Sequence, residues 1–161
     1  MLAPEATRAA REPLRFAVDT NVMGRRQRYS VVPDGLFGLR FADDSAAYFM
    51  LEVDRGTIPL TRTDVKGSAA WQKSIMFKLA TYWEGWKAGR HIEQFGLKQM
   101  RVLMLTSSSE RMQNMLAIVD DLTQGKGTAF FLFGYADMLR EQNPLAVSWI
   151  SGRREGVRLT D

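Results

Sequence analysis

Ala46-Ala47-Tyr48-Phe49-Met50-Leu51-Glu52-Val53-Asp54-Arg55-Gly56-Thr57 is an apolar run that ends in acid. Ala46 to Leu51 deliver Glu52 and Asp54, and the run stops at Arg55-Gly56. In a strand, residues two apart share a face, so Glu52 and Asp54 point one way while Leu51 and Val53 point the other. Upstream, Pro33-Asp34-Gly35 is a turn signal that carries a third carboxylate. Downstream, Lys78-Leu79-Ala80-Thr81-Tyr82 lies inside a helical pattern. The rest of the chain reads as scaffold around these three pieces.

Working outward, Gln27–Val32 and Leu36–Phe41 read as strands on either side of the Pro33-Asp34-Gly35 turn. Asp43-Asp44-Ser45 is a second turn, and Ala46–Asp54 the third strand, so the three predict an antiparallel meander. Gly56, Pro59 and residues 61–64 read as a loop. From Ser68 to Ala88 the apolar period turns helical through Ile75, Leu79, Tyr82 and Trp86, and Gly89 ends the helix near His91.

Arg101–Thr106 is a short strand of buried type. Ser107-x-x-Glu110 is a capping-box pattern opening a helix with Met112, Met115, Leu116, Val119 and Leu122 as its apolar stripe, closed by Gly125. A methionine-rich stripe of this kind is core packing. Ala129–Phe133 is another strand, a short helix follows around Tyr135–Arg140, and Ala146–Ile150 reads as an edge strand. The order β-β-β-α-β-α-β predicts an α/β domain: a mixed sheet, antiparallel meander plus βαβ crossover, flanked by helices. Residues 1–26 read as an N-terminal extension or short helix, and 27–161 as the domain.

The composition narrows the chemistry. The chain has 161 residues, 45% of them apolar, which suits one folded domain. No apolar run reaches the length of a membrane span, and Met1–Arg15 lacks the apolar segment of a secretory signal, so a cytoplasmic location is expected. There is no cysteine and one histidine, which excludes disulfides, cysteine nucleophiles, thiolate zinc and multi-histidine sites. A bound metal would be held mainly by oxygen, favouring magnesium, manganese or calcium. The formal charge of +4 is a mild lean toward a polyanion. Arg25, Arg26 and Arg28 cluster ahead of Tyr29; they read as a solvated strand edge or, more sharply, as a phosphate-contacting rim.

Asp34 begins one strand while Glu52 and Asp54 end a neighbour, and adjacent strands lie about 4.8 Å apart. Carboxylates so placed can share one Mg2+ or Mn2+, which activates a water and neutralises charge on a phosphorane. Lys78 on the following helix is the amine that would position the nucleophile. Each residue also has an ordinary reading. Asp34 suits its turn, Glu52 suits a salt bridge with Arg55 or Lys78, and Asp54 suits fixing the loop. Thr57 suits a cap, Lys78 a solvated helix face, Tyr82 and Trp86 a core, and His91 a loop.

The arrangement Pro33-Asp34, hairpin, Glu52-x-Asp54, helix resembles the PD-(D/E)XK nuclease fold. Asp54 stands where that fold carries lysine, and Lys78-x-x-x-Tyr82 stands where several of its branches carry Gln-x-x-x-Tyr. A closer resemblance is to the replication-relaxation family. It rests on Pro33-Asp34-Gly35, Leu51-Glu52-Val53-Asp54-Arg55-Gly56-Thr57, Lys78-Leu79-x-x-Tyr82, Val102-x-x-x-Thr106-x-x-x-x-Arg111-x-x-Asn114, and Pro144-Leu145 with Trp149. It spans about residues 28 to 150 and looks like that family's C-terminal domain without its winged helix. The resemblance implies a restriction-endonuclease-like fold in a bacterial protein of plasmid replication or DNA relaxation. DNA, and replication or mobilisation proteins, would be its partners. It implies nicking or cleavage with Mg2+ or Mn2+: Asp34 and Glu52 on the metal, Asp54 assisting, Lys78 placing the nucleophile, and Arg55, Thr57 and Tyr82 touching substrate. The alternative on the same fold is a non-catalytic DNA- or protein-binding regulatory module.

Overall fold

The computed structural model describes residues 12–22, 25–60 and 74–161. The chain divides into two compact units, each built from two separate stretches of sequence. The first unit takes residues 1–33 and 59–98, the second 34–58 and 99–161.

In the first unit, β1 (Phe16–Val22) and β2 (Arg25–Val31) form a two-stranded antiparallel ribbon, with Phe16 opposite Val31 and Asp19 opposite Arg28. Helix α1 (Ile75–Lys87) packs on both strands. Ser74 starts it: the Ser74 hydroxyl accepts the Phe77 N–H at 3.1 Å, satisfying one of the donors left over in a first turn. Gly89, at φ 72°, turns the chain into the short helix α2 (Arg90–Phe95). The core is aromatic. Phe16 stacks on Tyr82 and Phe95, with ring centroids 5.7 and 6.5 Å apart, and Tyr29 meets Phe77 edge-on at 5.2 Å. Gly85 leaves the room that the Phe16 ring occupies: a Cβ there would lie 2.3 Å from Phe16 Cε1.

The second unit is a six-stranded mixed sheet in the order β3 (Gly35–Arg40), β4 (Ala46–Val53), β5 (Met100–Thr106), β6 (Phe131–Tyr135), β7 (Trp149–Ser151), β8 (Gly156–Val157). β3–β4 is an antiparallel hairpin, β4–β5–β6 run parallel, and β6–β7–β8 return antiparallel. One face buries Phe49, Leu103, Leu132 and Trp149. By strand alternation the opposite face carries Met50, Met104, Phe131 and Phe133, all buried. Helix α3 (Ser109–Leu122) packs against β5 and β6 and buries Met112, Met115, Leu116, Ile118 and Val119. Gly125, at φ 76°, closes it, its N–H returning to the Asp120 carbonyl at 2.8 Å. Helix α4 (Ala136–Leu139) follows β6 directly.

The α/β class and the mixed sheet are those the sequence predicts, with three changes. Residues 16–22, expected in an extension or short helix, are a strand, so the expected boundary at residue 26 falls inside a hairpin. β2 pairs with β1 and not with β3, because Pro33-Asp34 carries the chain from one unit to the other instead of folding it back. Trp149–Ser151 lies between β6 and β8, so β8 is the edge. The helix expected from Ser68 is described from Ile75 onward; its first residues lie outside the described ones. His91, expected in a loop, is buried in α2. No helix among the described residues is long and apolar enough to cross a membrane.

Candidate functional site

The acid-bearing end of β4 is built by three different devices. β3 accompanies β4 only as far as the Gly35–Leu51 pair. Beyond it, the Asp34 N–H donates to the Leu51 carbonyl at 2.9 Å, and Asp34 Oδ2 accepts the Val53 N–H at 2.7 Å. The carboxylate stands in for the strand carbonyl that β3 no longer supplies, which is why an aspartate suits this position. Glu52 follows the strand alternation and is 1% exposed; Met104 lies beside it on β5, and Phe133 is next in the row on β6.

Asp54 is held hardest. Its N–H continues the parallel ladder to Leu105 O at 2.7 Å, so its carboxylate is set beside the end of β5. There Thr106 Oγ1 donates to Oδ2 at 2.8 Å, and the Gly56 N–H donates to Oδ1 at 3.2 Å. Arg111, in the first turn of α3, donates from Nε to Oδ2 and from an Nη to Oδ1, the two-pronged arrangement a guanidinium favours. The same Nη donates to the Ile58 carbonyl, tying down the loop that leaves β4. Burial pushes the Asp54 carboxyl upward. The hydrogen bonds from Arg111, Thr106 and Gly56, with the Arg111 charge, outweigh it and hold the group below its ordinary range.

Arg111 is aimed by its helix cap. Ser108 is the N-cap, its hydroxyl accepting the Arg111 N–H at 3.2 Å, one residue later than the expected Ser107 box. Thr106 and Arg111 carry no role in the sequence reading, although both stand in the family-like string. The available signal was their spacing: a strand-end hydroxyl, then a basic residue in the first helical turn.

Asp34, Glu52, Asp54, Arg55 and Thr57 therefore gather at one end of β4, with Arg55 and Thr57 exposed. Lys78 and Tyr82 belong to the first unit. Lys78 is partly exposed on α1, whereas Tyr82 is 0% exposed with its ring against Phe16, a core position that offers a substrate no surface. Among the described residues no group of three or more histidines, aspartates or glutamates is placed to hold a metal ion. Both oxygens of Asp54 accept from Arg111, Thr106 and Gly56, and one oxygen of Asp34 accepts from Val53. Asp54, so committed, does not fit as a ligand for Mg2+ or Mn2+.

Charge is distributed unevenly. The first unit holds thirteen lysines and arginines against six acids, a net +7; the second holds nine against twelve, a net −3. The overall +4 is the remainder. On the first unit's ribbon, Arg26 and Arg28 are exposed. Comparison with protein-family models, with curated proteins and with solved structures found no match.

Proposed function

We propose that the chain is a DNA-binding regulatory module of the replication-relaxation type, on a nuclease-like sheet, that does not cut. The observation that carries this is the state of Asp54. It stands where the nuclease resemblance requires a lysine, and Arg111 and Thr106 occupy both of its oxygens in a bridge between strand end, loop and helix. A carboxylate committed in this way supports the fold and is not available to chemistry. Asp34 has a comparable backbone duty. The +7 of the first unit supplies the attraction for a polyanion, and its phosphate contacts would make affinity fall steeply with salt.

The test is a supercoiled-plasmid nicking assay with Mg2+ or Mn2+, run beside DNA binding at several salt concentrations. The expected result is no metal-dependent nicking, with salt-sensitive binding that survives Glu52→Ala. Nicking by the wild type that disappears in Glu52→Ala and Lys78→Ala would replace this reading with the metal-dependent endonuclease. Absence of DNA binding at low salt would end both.

A further inference from the structure

We propose that the first unit seats a backbone phosphate of DNA in a cleft between the β1–β2 ribbon and the junction of α1 with α2, with Arg28 and Arg90 as its two cationic walls. The proposal rests on the DNA-binding reading and says where the contact is made.

The cleft has a volume of about 340 Å3 and is lined by Ala17, Val18, Asp19, Arg28, Ala88 and Arg90. Its cations differ in how they are held. Arg90 donates from Nε to the Ala17 carbonyl at 3.1 Å and from Nη1 to Glu93, so the guanidinium is fixed against the ribbon before any ligand arrives. Pre-organisation of this kind lowers the ordering cost of binding. Arg28 lies opposite Asp19 in the ribbon register. The Asp19 carboxylate nevertheless pairs diagonally with Arg26, at 3.2 Å. The Arg28 side chain is thus left exposed, with no hydrogen bond or ion pair among the described residues.

Around the cleft, the cations of Arg26, Arg28 and Arg90 face the anions of Asp19 and Glu93, a local excess of one positive charge inside a unit that carries +7. A guanidinium is planar and forked, which suits phosphate oxygens. The shared chemistry is that of a phosphate group, and the assignment is to nucleic acid because the wider positive field of the unit fits a repeating polyanion better than a single small ion.

The experiment measures the Kd of a short DNA duplex by fluorescence anisotropy across a salt series, using the full chain. Arg28→Ala is expected to weaken binding about tenfold and to reduce the salt slope by about 1. Asp19→Asn is expected to tighten binding, because it removes an anion from the cleft and releases Arg26. A loss of structure would not produce a gain in affinity. Arg153→Ala, in the second unit, is the matched arginine control and is expected to leave Kd unchanged. If the wild type binds with a steep salt slope while Arg28→Ala and Asp19→Asn match it, the cleft is not the contact and the DNA-binding reading stands. If the wild type does not bind, both fall. Inorganic phosphate is titrated as a second ligand; binding as tight as the duplex, lost in Arg28→Ala, would make this a free-phosphate site and overturn the nucleic-acid assignment.

Discussion

Asp54 in the second unit and Arg28 in the first are charged groups treated in opposite ways. The second, at −3, commits its key acids inward: Asp54 to Arg111 and Thr106, Asp34 to the end of β4. The first, at +7, leaves Arg28 at the surface without a partner among the described residues. Acids that are tied up stabilise a loop, whereas cations that are not tied up are ready for a ligand. An average over the chain hides this contrast, and a mild net charge is therefore a poor guide to where a polyanion would bind.

The contrast is broken most forcefully at Arg111. The Asp54 side chain is 2% exposed and the Arg111 side chain 15% exposed. Arg111→Ala strands a buried carboxylate, and the expected loss is about 3–5 kcal/mol by urea unfolding. Adding Asp54→Asn to that variant recovers part of the loss, because the stranded charge is gone. On the proposed DNA-binding function, folded Arg111→Ala is expected to match the wild type in DNA affinity. A drop in affinity matching that of Arg28→Ala would mean that the acid-bearing unit also makes the contact.

A smaller effect is expected from overfilling the first unit. The Cβ of Gly85→Ala would meet Phe16 Cε1 at 2.3 Å and Cζ at 2.7 Å, and Phe16 is 0% exposed. The buried ring must shift to admit the methyl group, so the expected cost is about 1–3 kcal/mol, read from the urea midpoint. An unchanged midpoint would show the aromatic core to be looser than the stacked rings imply.

The smallest effect separates the units by pH. Burial lowers the pKa of His91 from its ordinary 6.5, against a smaller upward pull from a hydrogen bond to the Lys98 backbone, and Nδ1 has no hydrogen-bond partner among the described residues. Its folded pKa is below the unfolded one, so its contribution to stability is complete above 6.5 and is lost as pH falls through the folded value. Asp54 is also depressed, but from 3.8, so its contribution is complete above that pH and is lost only in stronger acid. Urea midpoints should therefore decline slightly below pH 6.5 because of His91, and His91→Leu should flatten that decline while leaving the acid limb below 3.8 intact. A decline that persists in His91→Leu would assign it to another group.

Much of the second unit is legible in the chain order. The apolar run ending in Glu52 and Asp54 is β4, the Met112–Val119 stripe is the buried side of α3, and the Asp43-Asp44-Ser45 turn joins β3 to β4. These succeed because each depends on side-chain periodicity or on a turn residue bonding its neighbours, as Asp43 does with the Ser45 hydroxyl at 2.6 Å. β1 is missed because Asp19 and Asn21 interrupt its apolar residues and charged residues precede it, so it has little period of its own; pairing with β2 makes it a strand. The division into units is missed because residues 59–98, which connect β4 to its parallel neighbour β5, read as an ordinary crossover and instead build half of another unit.

By itself the sequence determined what local forces decide: the strands and helices with a clear period, which helix faces are apolar, and that no thiol chemistry exists in this chain. Tertiary structure alone decided which strands pair and what each charge meets. Arg111 reaches Asp54 across 57 positions of chain, and Asp19 turns from the residue opposite it to Arg26. Hydrogen bonds and ion pairs act only over a few ångströms, so the fate of a charge depends on which segments folding brings together, and spacing along the chain does not encode that directly.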